Sequence, residues 1–180
     1  MKLRHAIAFL ALGAAVAQAQ PPGAGHSPYA GQQSRDIKAL SEDEVKGLLA
    51  GAGLGYARPA ELNRYPGPMH ALEHAEALQL TSAQRERMQA LMKSHKAEAR
   101  ELGARLVALE RELDQLFANR KATAESVDRV LLQIGEATAR VRGSHLKTHL
   151  EATAILTPAQ VDRYVELRGY GGGAHHGHRH

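Results

Sequence analysis

At 180 residues the chain has the length of one domain with a modest core, and its formal charge of +4, from 23 basic and 19 acidic residues, is too small an excess to point to nucleic acid. It has no cysteine, which excludes disulfides and thiolate metal sites and leaves helix packing, association or a ligand to supply stability. With no cysteine nucleophile, no G-x-S-x-G turn and no phosphate-cradling loop, an enzyme is not expected.

Residues 1–19 have the form of an export signal. Lys2 and Arg4 precede an apolar run from Ala6 to Ala17, and Ala17-Gln18-Ala19 offers a small-x-small cleavage site. The run is shorter than the roughly 20 residues that span a bilayer, so the expectation is cleavage near Ala19 and an exported protein with no membrane span. Residues 20–40, rich in Pro, Gly, Gln and Ser, read as a flexible lead. Ser41-Glu42-Asp43-Glu44 is a capping box that opens a short helix, and Gly51 and Gly53 end it. Pro68 suits a first helical position and predicts a second short helix carrying His70, Leu72, His74 and Leu78.

Leu80-Thr81-Ser82-Ala83-Gln84 then places Thr81 as a helix cap, with Gln84 able to reach back to the cap's amide. The device recurs at Leu156-Thr157-Pro158-Ala159-Gln160. Between the two lie helical patterns over 82–118 and 124–154, the first about 55 Å long at its rise per residue. Both follow alternating steps of four and three. The seam runs from Met88, Met92 and His95 to Leu113 and Leu116, and returns from Val127 and Leu131 to His145, Thr148 and Ile155. A reversal near Arg120 pairs positions whose numbers sum to about 240, setting Leu109 against Leu131, Leu106 against Ile134 and His95 against His145. The reading is an all-α domain over 41–170, a long antiparallel hairpin with short flanking helices. Its apolar layers are expected near the turn and its polar, small layers near residues 80 and 156. Half-covered Leu91, Leu146 and Leu150 call for a dimer or for cover by the early helices.

Two Leu-Thr-x-x-Gln motifs (Leu80, Thr81, Gln84; Leu156, Thr157, Gln160) around a helical hairpin behind an export signal resemble the Spy/CpxP family of periplasmic stress proteins. That wider group takes in periplasmic heavy-metal sensors of the CnrX type. The resemblance covers roughly residues 68–168 and implies a periplasmic, hooked four-helix fold that forms a homodimer. It also implies one of three roles: holding unfolding client proteins without ATP, modulating an envelope-stress sensor, or sensing and resisting metals. Sensors of this type use two histidines four apart ahead of the hairpin, then a histidine and a methionine four apart on the returning helix. His70 and His74 match the first pair and His145 the next position, while His149 stands in the methionine's place. The carboxylate that completes such sites has no evident counterpart in the sequence.

The residues alone point the same way. Histidines four apart on a helix project from one face and can reach one ion, and both His70/His74 and His145/His149 have that spacing. The alternative is surface or seam histidines without a ligand. His95 is open to two readings, a further ligand or a polar layer that sets register. Met88 and Met92 offer thioether to Cu(I) but on a seam are ordinary core filler. Neutral imidazole suits Ni, Co, Cu and Zn alike, so the ion is not selected, and no organic cofactor is implied. The tail from Gly171, with His175, His176, His178 and His180, is flexible by composition and would bind such ions weakly by itself. His70-Ala-Leu-Glu73-His74 also fits a short zinc-protease pattern, but no strand-rich domain accompanies it. Arg and Lys beside apolar positions, such as Arg87, Lys93 and Arg105, carry the chaperone reading. The preferred reading is a metal-binding stress protein using His70, His74, His145 and His149 with help from His95; the alternative is an ATP-independent chaperone.

Overall fold

The computed structural model describes residues 27–171, among which the α-helices are α1 Glu42–Ala50, α2 Arg58–Glu61, α3 Pro68–Glu73, α4 Ser82–Ala118, α5 Ala124–Ile155 and α6 Pro158–Leu167. No strand occurs among the described residues. The expected export signal and the tail histidines His175, His176, His178 and His180 lie outside them. Residues 27–33 belong to a small unit of local turns, and the helical unit begins at Ser34.

Side-chain caps set the helix boundaries. Ser41, Thr81 and Thr157 each accept the amide three residues on, and Glu44, Gln84 and Gln160 reach back to the cap amide at 2.8–3.0 Å. A fourth box, Thr123 with Ser126, opens α5; serine in place of Glu or Gln hid it from the sequence pattern. Gly51, at φ +67°, closes α1 in the left-handed conformation that glycine adopts without strain. The hairpin reverses through Arg120 at φ +55°, inside the expected polar stretch.

The long helices bury Leu106, Leu109, Ala137 and Val141 together with Ile37 and Leu48. α1 lies directly on α4 at Gly103, where a Cβ would come within 2.2 Å of the Leu48 carbonyl oxygen. The end of the lead is held as well: Ile37 is buried, Lys38 pairs with Asp114 at 3.2 Å and Asp36 with Arg111 at 2.9 Å. Composition made that segment look loose, and one isoleucine with two long-range ion pairs fastens it.

Two features of the expected seam are corrected. Leu131 does not cover Leu109: it is 48% exposed, its neighbour Leu132 is 77% exposed, and Val130 fills the buried position. A straight helix drifts about 20° per heptad against a 3.5-residue repeat, so a seam that fits at His145 has rotated by Leu131. The end near residues 80 and 156 is not the polar end. Ala71, Ala75, Leu78, Leu80, Met88, Ala152, Leu156 and Tyr164 form a core there, because small residues on the hairpin admit side chains from outside it. Gln84 and Gln160 clasp each other across this end at 2.8 and 3.1 Å, and each also donates to a backbone carbonyl, Ile155 or Leu78. The paired motif therefore caps two helices and ties α6 to the hairpin. No described helix is long and apolar enough to cross a membrane.

Candidate metal centre

Antiparallel packing of α4 on α5 brings His95 and His145 together as their register requires, with His95 Nε2 3.0 Å from His145 Nδ1 and the rings edge to face. Their protonation follows from one fixed end. Ser144 Oγ donates to the Glu98 carboxylate at 2.9 Å, so its oxygen accepts from His95 Nδ1 at 3.2 Å. His95 Nε2 then carries the lone pair and accepts the Nδ1–H of His145. His145 Nε2 is left with a bare lone pair, and that atom is buried without a hydrogen-bond partner among the described residues. Burial, reinforced by the His95 and His149 imidazoles, pushes His145 down to about 4, and burial lowers His95 too. Both rings are therefore neutral at pH 7, the form that binds metal.

His149, one turn on, donates Nδ1–H to the Tyr65 carbonyl at 2.7 Å, which assigns its lone pair to Nε2 as well. That nitrogen sits in the space Gly67 leaves, since a Cβ at 67 would lie 2.9 Å from it. His70 directs Nδ1 at the Glu73 carboxylate, 2.8 Å away, which holds Glu73 below the usual carboxylate range. Two imidazoles, His70 and His149, thus spend Nδ1 on oxygen acceptors and His145 spends it on His95 Nε2, so all three keep Nε2 free, the arrangement that outer-shell partners impose on metal-binding histidines.

Glu61, at the end of α2, is a carboxylate beside His149 that the sequence did not reveal. Its Oε1 accepts from the Tyr164 hydroxyl at 2.7 Å and from Arg168 Nε and the Tyr170 hydroxyl, both at 3.2 Å. Its Oε2 is buried with no hydrogen bond among the described residues and lies 3.7 Å from His149 Nδ1. One oxygen is anchored three times over, and the other is bare.

Glu61, His70, Met92, His95, His145 and His149 line a single cavity of about 700 Å³. His74 does not line it. α3 stops at Glu73 and His74 is its C-cap, at φ −98°, ψ 18°, with its N–H still bonded to the His70 carbonyl at 3.1 Å. Met88 is fully buried in the core and has no access to the cavity. Nitrogen and oxygen donors are therefore gathered around one cavity, but no three His, Asp or Glu side chains among the described residues already converge as a metal-holding group. An ion would have to draw them together.

A family described as heavy-metal resistance matches residues 45–163, about two thirds of the chain. No curated protein and no solved structure matches it. The matched span runs from α1 into α6 and takes in both Leu-Thr-x-x-Gln motifs and every histidine of the cavity. This chain belongs to the heavy-metal resistance family.

Proposed function

We propose that the protein is a periplasmic heavy-metal sensor or resistance protein that binds a Ni, Co, Cu or Zn ion through Nε2 of His70, His145 and His149 with Oε2 of Glu61. The observation that carries this reading is the pair of bare, buried donor atoms, His145 Nε2 and Glu61 Oε2, in one cavity with two further free Nε2 atoms. A lone pair buried with nothing to accept costs about 1–3 kcal/mol, and a cation removes that cost at both atoms. His95 acts as a positioning residue, fixing the His145 tautomer through the Ser144–Glu98 relay. His74 remains outside the set unless the end of α3 unwinds.

The donors come from α2, α3 and α5, so occupancy would pull the early segment onto the hairpin and change the surface offered to a partner. Homodimerisation is part of the proposal, with exposed Leu150, Leu131 and Leu132 as apolar surface for it. The same exposed residues with Phe117 favour the second reading, an ATP-independent chaperone that holds unfolding clients.

Calorimetric titration of the chain with its four tail histidines replaced by alanine, beside the same protein carrying His145→Ala/His149→Ala, tests the metal reading. About one ion per chain, bound tightly and lost in the second protein, is the expected result. Equal binding by both would remove the site.

A further inference from the structure

An ion with its ligands, at bond lengths of about 2.0–2.2 Å, fills a small part of a cavity of about 700 Å³. The remaining wall is apolar, from Ala50, Leu54, Leu62, Pro68, Met69 and Met92. Three of these are large side chains left in water at its mouth: Leu54 is 45%, Leu62 56% and Met69 47% exposed. Leu54 is moreover held at φ +42°, a backbone conformation that a branched side chain adopts only under constraint, with its Cδ atoms against Gly47 of α1. A concavity of this size, mostly apolar with a few charged groups, has the form of a small-molecule site rather than of a flat protein interface.

The charges of the lining set the sign of the ligand. Arg58 and Lys96 both line the cavity, and neither makes an ion pair among the described residues. Glu61, the acid of the lining, is already paired with Arg168 at 3.2 Å. Two cations without an acid to meet them, beside exposed leucine and methionine, are complementary to an amphipathic anion.

We propose that this cavity binds a small organic anion with an apolar body, an alkyl or aryl carboxylate or sulfonate, its charged group met by Arg58 and Lys96 and its body covering Leu54, Leu62 and Met69. The site is independent of the metal reading, since none of these five residues is among the proposed ligands.

The test uses the full chain, freed of metal by dialysis over a chelating resin. It is titrated with 8-anilinonaphthalene-1-sulfonate, whose fluorescence rises in apolar surroundings, and the bound dye is competed with decanoate and with methyl decanoate. Expected are one saturable dye site per chain and displacement by the acid about ten-fold more readily than by the ester. The Arg58→Ala/Lys96→Ala variant should weaken decanoate about ten-fold and leave the ester unchanged, the size two partly exposed ion pairs supply. Leu62→Asp should weaken both. Both cations are surface residues, so unchanged helical circular dichroism is expected to accompany these effects. No saturable binding, equal displacement by acid and ester, indifference to the Arg58 and Lys96 replacements, or loss of the dye site in a Phe117→Asp/Leu132→Asp variant would overturn the proposal.

Discussion

Acidification of the metal-free protein should destabilise it through His145 in a window that its burial defines. The folded state holds this imidazole at about 4, chiefly by burial and then by the neighbouring His95 and His149 rings, while an unfolded chain titrates it near 6.5. Between those values the unfolded chain takes up a proton that the folded one refuses. Stability is therefore full above about pH 6.5 and falls as pH falls towards 4. Linkage gives a loss of about 2 kcal/mol by pH 5 and about 3 kcal/mol by pH 4, and the first corresponds to about 4–8 °C in Tm for a chain of this size. Carboxylates titrate over part of the same range, so the measurement is a difference: urea denaturation followed by circular dichroism at pH 7, 6 and 5, for the parent and for His145→Gln. The parent's advantage over the variant should shrink by about 2 kcal/mol from pH 7 to pH 5. Parallel stability curves would refute the argument that His145 is buried, neutral and unable to accept a proton in place.

Gly103→Ala should lower stability by about 2 kcal/mol, because its Cβ would meet the rigid Leu48 backbone at 2.2 Å; Gly135→Ala, with open space around it, should instead gain about 0.5–1 kcal/mol, and thermal melts compare the two. Replacing Gln84 or Gln160 by alanine should each cost about 2 kcal/mol, and a double-mutant cycle in urea should show coupling of about 1 kcal/mol from their mutual bonds. Glu61→Gln keeps an oxygen for the Tyr164 hydroxyl but removes the charge at the bare oxygen. Metal affinity by calorimetry should fall at least about ten-fold with helical content unchanged.

Much of the fold was written in short-range chemistry. A Thr three residues ahead of a Gln states where a helix starts, and α4 and α6 both begin at the residue that pattern names. The facing of His95 and His145 followed from a seam and a turn position, both properties of consecutive residues. The register failed nearer the turn, at Leu131, where supercoil drift and not pattern decides which side is buried. Glu61 was invisible for a different reason. It lies in the aperiodic stretch between α1 and α3, and its partners Tyr164, Arg168 and Tyr170 stand more than 100 residues away. No spacing rule connects them. His149's partner is a main-chain carbonyl, which has no residue signature at all, and that the cavity takes in His70 but not His74 depends on how α3 packs, which their spacing does not state.

The distribution of donors bears on what binding an ion would do. His145 and His149 sit on a 32-residue helix braced along its length by α4, and His145 is oriented by a relay through His95, Ser144 and Glu98. Glu61 and His70 sit on helices of 4 and 6 residues. Gly51, Gly53 and Gly55 precede α2, and Gly67 caps α3. Half of the donor set is stiff and half is carried on a short segment between glycines, so convergence on an ion falls to the segment. Glu61 also anchors Tyr164, Arg168 and Tyr170, so moving its carboxylate by a metal–oxygen bond disturbs the end of α6 as well. Under the proposed metal reading, an ion in the cavity would bias two surfaces at once, the early segment and the C-terminal end of the domain, without any change in the hairpin that holds them. Hydrogen exchange with and without Ni or Cu should protect residues 52–67 and 164–170 together, while amides in the middle of α4 keep their rates. Protection confined to α5 would mean that the ion binds the stiff histidines alone and carries no signal to either end.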